Sequence, residues 1–61
     1  MRLKDLLPYL SENNNVNLWY GGNLVEYYNG RDSLTGKYDN YAVGVVKANN
    51  CVPDTIDIYI I

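Results

Sequence analysis

The chain has no histidine, no phenylalanine and a single cysteine among its 61 residues. Because Cys51 stands alone and histidine is absent, neither an intrachain disulfide nor a zinc site of the usual Cys/His type can form. A nucleophilic role for Cys51 is also disfavoured, because no imidazole exists to activate the thiol. No other spacing typical of catalytic residues is present. The sequence therefore predicts a protein that is not an enzyme and that needs no metal or other cofactor.

Clusters of positive charge and long apolar runs are missing as well. The net charge is −2, and the five cationic residues are scattered along the chain. A surface that binds nucleic acid normally carries a basic stripe, so nucleic acid is a disfavoured partner. No apolar run reaches membrane-spanning length, and Asp5 and Pro8 interrupt the N-terminal leucines where a signal peptide would be apolar. We therefore expect no membrane association and a cytoplasmic location, in which a lone reduced thiol is ordinary.

What the chain does contain is tyrosine: seven tyrosines and one tryptophan in 61 residues. Each of these rings carries a polar group, which suits surfaces that are half-buried and also hydrogen-bond a partner. The length permits one domain, residues 1–61, and a domain this short buries only about 60% of the surface that its unfolded chain exposes. Since disulfides and metals are excluded as supplements to a small core, self-association is the expected one.

The N-terminal half predicts a short helix followed by a β-hairpin. Leucines at positions 3, 6, 7 and 10 share one helical face, and Pro8 should end the helix near Leu7 and leave a tighter turn up to residue 10. Gly21-Gly22 fits a two-residue hairpin turn, which would pair Leu18 with Val25 in the core. In that register Tyr27 points inward and Tyr28 points outward.

The C-terminal half predicts two more strands after an irregular segment at residues 29–41. In the first of them Val43 and Val45 share one face by alternation, and in the last strand the isoleucines at 56, 58 and 60 do so. A strand as apolar as the last one should be paired on both sides or covered. The predicted fold is α+β and mostly β. It consists of a short N-terminal helix and a small, strongly bent antiparallel sheet or SH3/Sm-like partial barrel of four to five strands.

Parts of this pattern resemble a group of short phage proteins. The opening Leu3-Lys4-Asp5-Leu6-Leu7-Pro8-Tyr9-Leu10, the strand from Val16 and the final apolar strand are similar to short uncharacterised proteins of phages and prophages in Gram-positive bacteria. The similarity covers the helix and the first and last strands, whereas residues 29–41 follow no pattern of that group. It implies a phage origin, a small α+β fold and a location in a bacterial host's cytoplasm, and it assigns no site residues.

Two sets of residues are candidates for binding. The segment at residues 29–41 is the longest irregular one, and charge and base stacking suit an anionic or nucleotide-like ligand there; its candidate residues are Arg31, Ser33, Thr35, Lys37, Tyr38 and Tyr41. Residues that point outward by alternation predict an apolar patch for a homo-oligomer, a dimer above all; they are Trp19, Leu24, Tyr28, Tyr59 and Ile61.

Three functional hypotheses follow. The first is a non-enzymatic oligomeric binding protein that counteracts a host defence by sequestering a nucleotide-type signal or by blocking a host protein. The second is a structural or accessory phage protein without a small-molecule ligand, and the third is a nucleic-acid-binding module, which the charge disfavours.

Overall fold

The computed structural model describes residues 1–30 and 36–61, and the chain begins with one short helical segment. Helix α1 spans Leu3–Leu6, and a 3-10 turn at Leu7–Tyr9 follows it. The Asp5 carboxylate accepts a hydrogen bond from the backbone N–H of Arg2, which satisfies a donor that the first turn leaves unpaired. Pro8 lies in the first turn of the 3-10 segment, where its missing N–H costs little. The predicted short helix and tighter turn are confirmed.

Within residues 1–30 and 36–61, four strands form one open, mixed sheet. They are β1 at Asn15–Tyr20, β2 at Asn23–Tyr28, β3 at Val43–Ala48 and β4 at Thr55–Ile60. The order across the sheet is β2-β1-β4-β3, so the two central strands are β1 and β4. These central strands are parallel, while β1 with β2 and β3 with β4 are antiparallel. The last strand is therefore paired on both sides, as its apolar sequence predicted.

The first hairpin turns at Gly21-Gly22 as predicted, but its register shifts after the first two residue pairs. Opposite Leu18 the structure places Glu26, and Val25 is the extra residue of a β-bulge. Val25 still packs against the core, whereas the pairing of Leu18 with Val25 is wrong. From Glu26 onward each side chain points to the face opposite to the one predicted without a bulge, because successive side chains of a strand alternate between the two faces. Tyr28 is consequently buried in the core and Tyr27 is 54% exposed, the reverse of the prediction.

A second bulge shifts the faces of β3. Val43 lies opposite Ile60 and Val45 lies opposite Tyr59, so Gly44 is the unpaired residue between them. The two valines therefore point to opposite faces, and the prediction that they share one is wrong. A Cβ atom at Gly44 would lie 3.1 Å from Cγ1 of Ile61 and 3.3 Å from the carbonyl oxygen of Tyr59. Because glycine has no Cβ, the strand can bend closely over its neighbour at this point.

The core lies between one sheet face and the helical segment. Its buried apolar residues come from α1 and from three strands; they are Leu3, Val16, Leu18, Tyr28, Ile58 and Ile60. The leucines of the helical segment at positions 6, 7 and 10 pack against this cluster. The α+β, mostly β class is thus confirmed, and the sheet is open. The prediction that the sheet is antiparallel throughout is wrong, because its central strands β1 and β4 are parallel. Within the described residues, no helix has the length and apolarity needed to cross a membrane.

Candidate functional site

Three tyrosines and a lysine meet at one end of the sheet, and we call this group the tyrosine corner. The rings of Tyr20 and Tyr41 have centroids 5.6 Å apart and planes at 82° to each other. Those of Tyr38 and Tyr41 are 5.3 Å apart at 62°. The Nζ atom of Lys37 lies over the Tyr38 ring, 5.4 Å from its centroid. Edge-to-face contacts of this kind stabilise aromatic pairs beyond the effect of burial alone.

Backbone hydrogen bonds to the N-terminal segment hold the corner in place. The N–H of Leu3 donates to the carbonyl oxygen of Tyr41 at 2.9 Å, and the N–H of Lys4 donates to that of Asp39 at 3.0 Å. Tyr41 in turn donates its N–H to the carbonyl oxygen of Tyr38, which closes a tight turn between the two rings. Because Leu3 of α1 is buried in the core, these hydrogen bonds connect the backbone of the tyrosine corner to the core.

Much of the positive charge in the described part of the chain is carried on backbone that meets at this corner. Lys37 belongs to it, and Arg2 and Lys4 lie on the segment that pairs with residues 39–42. Asp5 and Asp39 lie on the same backbone, and Asp5 is engaged with the N–H of Arg2. Tyr20 is 46% exposed and Tyr41 is 37% exposed, so ring surface remains open to solvent beside these charges.

The structure brings together half of the residues predicted to contact a ligand. Lys37, Tyr38 and Tyr41 adjoin one another as described, whereas Arg31, Ser33 and Thr35 lie outside the described residues. Tyr20 was not among the predicted ligand contacts. It ends β1, and the distance in sequence from Tyr41 conceals their contact. The parallel pairing of β1 with β4 was the missing information, since it brings Tyr20 opposite Ile60, next to the backbone of residues 42 and 61.

The sheet face that points away from α1, which we call the outer face, carries two ordered rows of side chains. The strand registers place one residue from each strand in each row. The apolar row contains Leu24, Trp19, Tyr59 and Val45. The polar row beside it contains Tyr27, Asn17, Asp57 and Lys47. The Trp19 and Tyr59 rings are stacked, with centroids 5.7 Å apart and planes at 14°, and the Nζ atom of Lys47 lies 5.1 Å from the Tyr59 centroid.

Asp57 is the one charged residue that the described part of the chain buries, and it lies on this outer face with 7% of its surface exposed. Its Oδ1 atom accepts hydrogen bonds from Nδ2 of Asn17 at 3.0 Å and from Nε1 of Trp19 at 3.3 Å. Its Oδ2 atom accepts one from Nδ2 of Asn49 at 3.2 Å. Burial raises the pKa of the Asp57 carboxyl, but these three donors and the Lys47 charge outweigh burial and leave the pKa below its usual value.

Asn49 extends this network into the turn between β3 and β4. While its Nδ2 group donates to Asp57, its Oδ1 atom accepts the N–H groups of Cys51 at 2.8 Å and Val52 at 3.0 Å. A side-chain oxygen that accepts backbone N–H groups two and three residues on is the usual way in which asparagine fixes a turn. The buried carboxylate therefore helps to order the outer face and the turn at the same time.

Most residues of the predicted oligomer interface do lie on the outer face. Trp19, Leu24 and Tyr59 are neighbours in the apolar row. Ile61 follows Tyr59 by alternation, lies against Gly44 and is 75% exposed. Tyr28 is the exception: it is 3% exposed in the core, so its predicted outward position is wrong because of the bulge at Val25.

Comparisons with protein families, curated proteins and solved structures find no match to this chain. In the described ranges, no group of three or more His, Cys, Asp or Glu side chains is arranged to hold a metal ion. The tyrosine corner and the outer face are therefore the features of the described residues that bear on function.

Proposed function

We propose that the protein is a non-enzymatic binding protein and that the tyrosine corner contacts a planar, anionic ligand of the nucleotide type. The observation that carries this proposal is a continuous row of contacts from Lys37 over Tyr38 to Tyr41 and Tyr20. Tyr38 packs against the core, whereas Tyr41 and Tyr20 remain exposed. Because the tyrosine planes are steeply inclined to each other, a ligand ring that stacks on one tyrosine contacts its neighbour edge-to-face. Stacked and edge-to-face contacts are the favourable arrangements of aromatic rings. A lysine beside the stack supplies a point charge for a phosphate.

The chemistry of the titratable groups supports binding rather than catalysis. Asp57 is held ionised by three neutral donors and by the Lys47 charge, and it lies on the outer face, away from the tyrosine corner. A carboxyl with a lowered pKa is a poor general acid or base near neutral pH. Cys51 is exposed, and the sequence has no histidine that could activate its thiol.

Titration of the uniformly 15N-labelled protein by NMR tests this proposal. The probes are AMP, adenosine and ribose 5-phosphate, so that the ring and the phosphate are offered together and separately. We expect AMP to shift the resonances of the tyrosine corner and to bind at least about tenfold more tightly than either part, since stacking and charge each contribute.

Variants define where the probe binds. Tyr41→Leu and Lys37→Gln should each weaken AMP binding several-fold. Tyr9→Leu, which changes a tyrosine that is 81% exposed on the 3-10 turn, and Lys47→Gln on the outer face should leave the affinity unchanged. Equal losses in the control variants would contradict the assignment of the corner.

The same titration separates this proposal from its alternatives. Absence of any AMP shift at millimolar concentration would remove the nucleotide-type ligand and favour an accessory structural role or direct binding of a host protein. Conversion of AMP to another compound in the NMR tube would overturn the non-enzymatic assignment itself.

A further inference from the structure

The apolar row on the outer face crosses the whole sheet and has no covering element among the described residues. Leu24 at one end is 50% exposed and Val45 at the other is 53% exposed, while Trp19 and Tyr59 between them are half-buried by their neighbours. Helix α1 covers the opposite face. A contiguous apolar strip of this kind is typical of a surface that binds another protein chain.

The centre of the row is held rigid before any partner arrives. The Trp19 ring is fixed on one side by the stack with Tyr59, and its indole N–H is fixed by Asp57. Lys47 lies against the Tyr59 ring and adds a cation–π contact. Side chains that are already ordered lose little conformational freedom on association, and Trp and Tyr are the residues that most often dominate binding energies.

We propose that a second copy of this chain packs on the outer face, with the apolar rows of the two copies against each other. A two-fold axis that lies in the plane of the face and along the row maps the row onto itself, so apolar residues meet apolar residues without any further partner. The two charged residues of the rows, Lys47 and Asp57, are cross-strand neighbours of opposite sign, so the rows carry no net charge. The face thus offers little to an oppositely charged partner and much to an identical one.

The size of the face agrees with a dimer of modest affinity. Four strands about 4.8 Å apart and six residues long at about 3.3 Å each give a projected area of roughly 400 Å². The solvent-accessible area of the face is larger than this projection because side chains protrude from it. Specific interfaces bury about 800 Å² of accessible surface on each partner, and weak interfaces bury less. We therefore expect dissociation in the micromolar range. In the described part of the chain the core has six buried apolar residues, and the need for a supplement to so small a core favours the same arrangement.

Sedimentation equilibrium over a concentration series from about 5 µM to about 1 mM tests the proposal, a range that brackets the dissociation constants expected for a small interface. The wild-type chain should shift from monomer to dimer. Leu24→Lys and Val45→Lys, each at an exposed end of the row, should weaken dimerisation at least about tenfold, because each places two like charges in the contact. Val52→Lys is the matched control: Val52 is 49% exposed in the turn between β3 and β4, outside the row.

A second measurement uses the unaltered face and therefore does not depend on the folding of a variant. One sample carries a spin label on Cys51, the exposed single thiol, and has natural isotope abundance. It is mixed with a second sample that is labelled with 15N and 13C and carries no spin label. Intermolecular broadening of the Trp19 indole N–H and of the Leu24 and Val45 methyl groups is expected, with the Leu18 methyl groups in the core affected less.

The outcomes are decisive in both directions. A wild-type chain that is still monomeric at about 1 mM would overturn the proposal, because this concentration is far above a micromolar dissociation constant. A dimer whose dissociation constant is unaffected by both lysine variants would overturn it as well. This result is independent of AMP binding, since the tyrosine corner and the apolar row share no residue.

Discussion

Trp19 donates its indole N–H to the Oδ1 atom of Asp57 at 3.3 Å, from one central strand to the other. This bond ties the largest aromatic side chain of the outer face to a carboxylate that is almost fully buried. It exists because β1 and β4 are parallel neighbours, which brings residues 38 positions apart in sequence into contact. The order of the outer face is therefore a consequence of the sheet topology.

Removal of the Asp57 charge should destabilise the fold. In Asp57→Asn the amide nitrogen can no longer accept from one of the surrounding donors, which leaves a part-buried polar group unsatisfied. We expect a loss of about 1–3 kcal/mol in the free energy of unfolding, the usual cost of leaving a buried polar group without a hydrogen-bond partner. Urea denaturation followed by Trp19 fluorescence measures this loss. Glu12→Gln, at an exposed position, should change the stability by less than about 0.5 kcal/mol. Equal stabilities of Asp57→Asn and wild type would show that the network contributes nothing.

The lowered pKa of Asp57 predicts a specific pH dependence. Because the folded-state pKa lies below the ordinary value of 3.8, the stabilisation by the carboxylate is complete well above pH 3.8. It is lost progressively as the pH falls through 3.8 towards the lower folded-state value. The stability difference between wild type and Asp57→Asn should therefore be largest near pH 7 and should shrink at about pH 3. Urea denaturation of both proteins at several pH values measures this difference, and one that grows on acidification would contradict the assignment.

The bulge at Val25 makes a clear prediction about two adjacent tyrosines. Tyr28→Ala should cost about 3–5 kcal/mol, because the ring is 3% exposed in the core. Tyr27→Ala should cost less than about 1 kcal/mol, since its ring is 54% exposed. Thermal unfolding by circular dichroism compares the two variants. A larger loss for Tyr27→Ala would restore the register without a bulge.

These two tyrosines also show where sequence reasoning stops. Periodicity predicted the helix up to Leu7, the turn at Gly21-Gly22 and the apolar face of β4, because each depends on residues that are close in sequence. The bulges do not interrupt the apolar pattern visibly, and each one reverses the faces of the residues beyond it. Uninterrupted alternation therefore assigned Tyr28 to the wrong face of the sheet.

The candidate site was predictable to a similar extent. Lys37, Tyr38 and Tyr41 lie within five residues of one another, so their place in the longest irregular segment indicated them as a group. Tyr20 joins them through the parallel pairing of β1 and β4, and no local pattern distinguishes a parallel pair from an antiparallel one. The acceptor role of Asp57 was hidden for the same reason, since its donors Asn17 and Trp19 are on the other central strand.

Gly44 tests how tightly the second bulge fits. In Gly44→Ala the new Cβ would meet the Ile61 side chain at 3.1 Å and the backbone oxygen of Tyr59 at 3.3 Å. The Ile61 side chain is 75% exposed and can move aside, whereas the backbone of a central strand cannot move as easily. We expect Gly44→Ala to lower the free energy of unfolding by about 1 kcal/mol. The double variant Gly44→Ala/Ile61→Ala should recover only part of the loss relative to Ile61→Ala alone, because the contact with the Tyr59 oxygen persists. Urea denaturation of the four proteins gives the coupling between the two positions. Complete recovery would assign the whole effect to Ile61, and a Gly44→Ala variant as stable as wild type would show that β3 has room at the bulge.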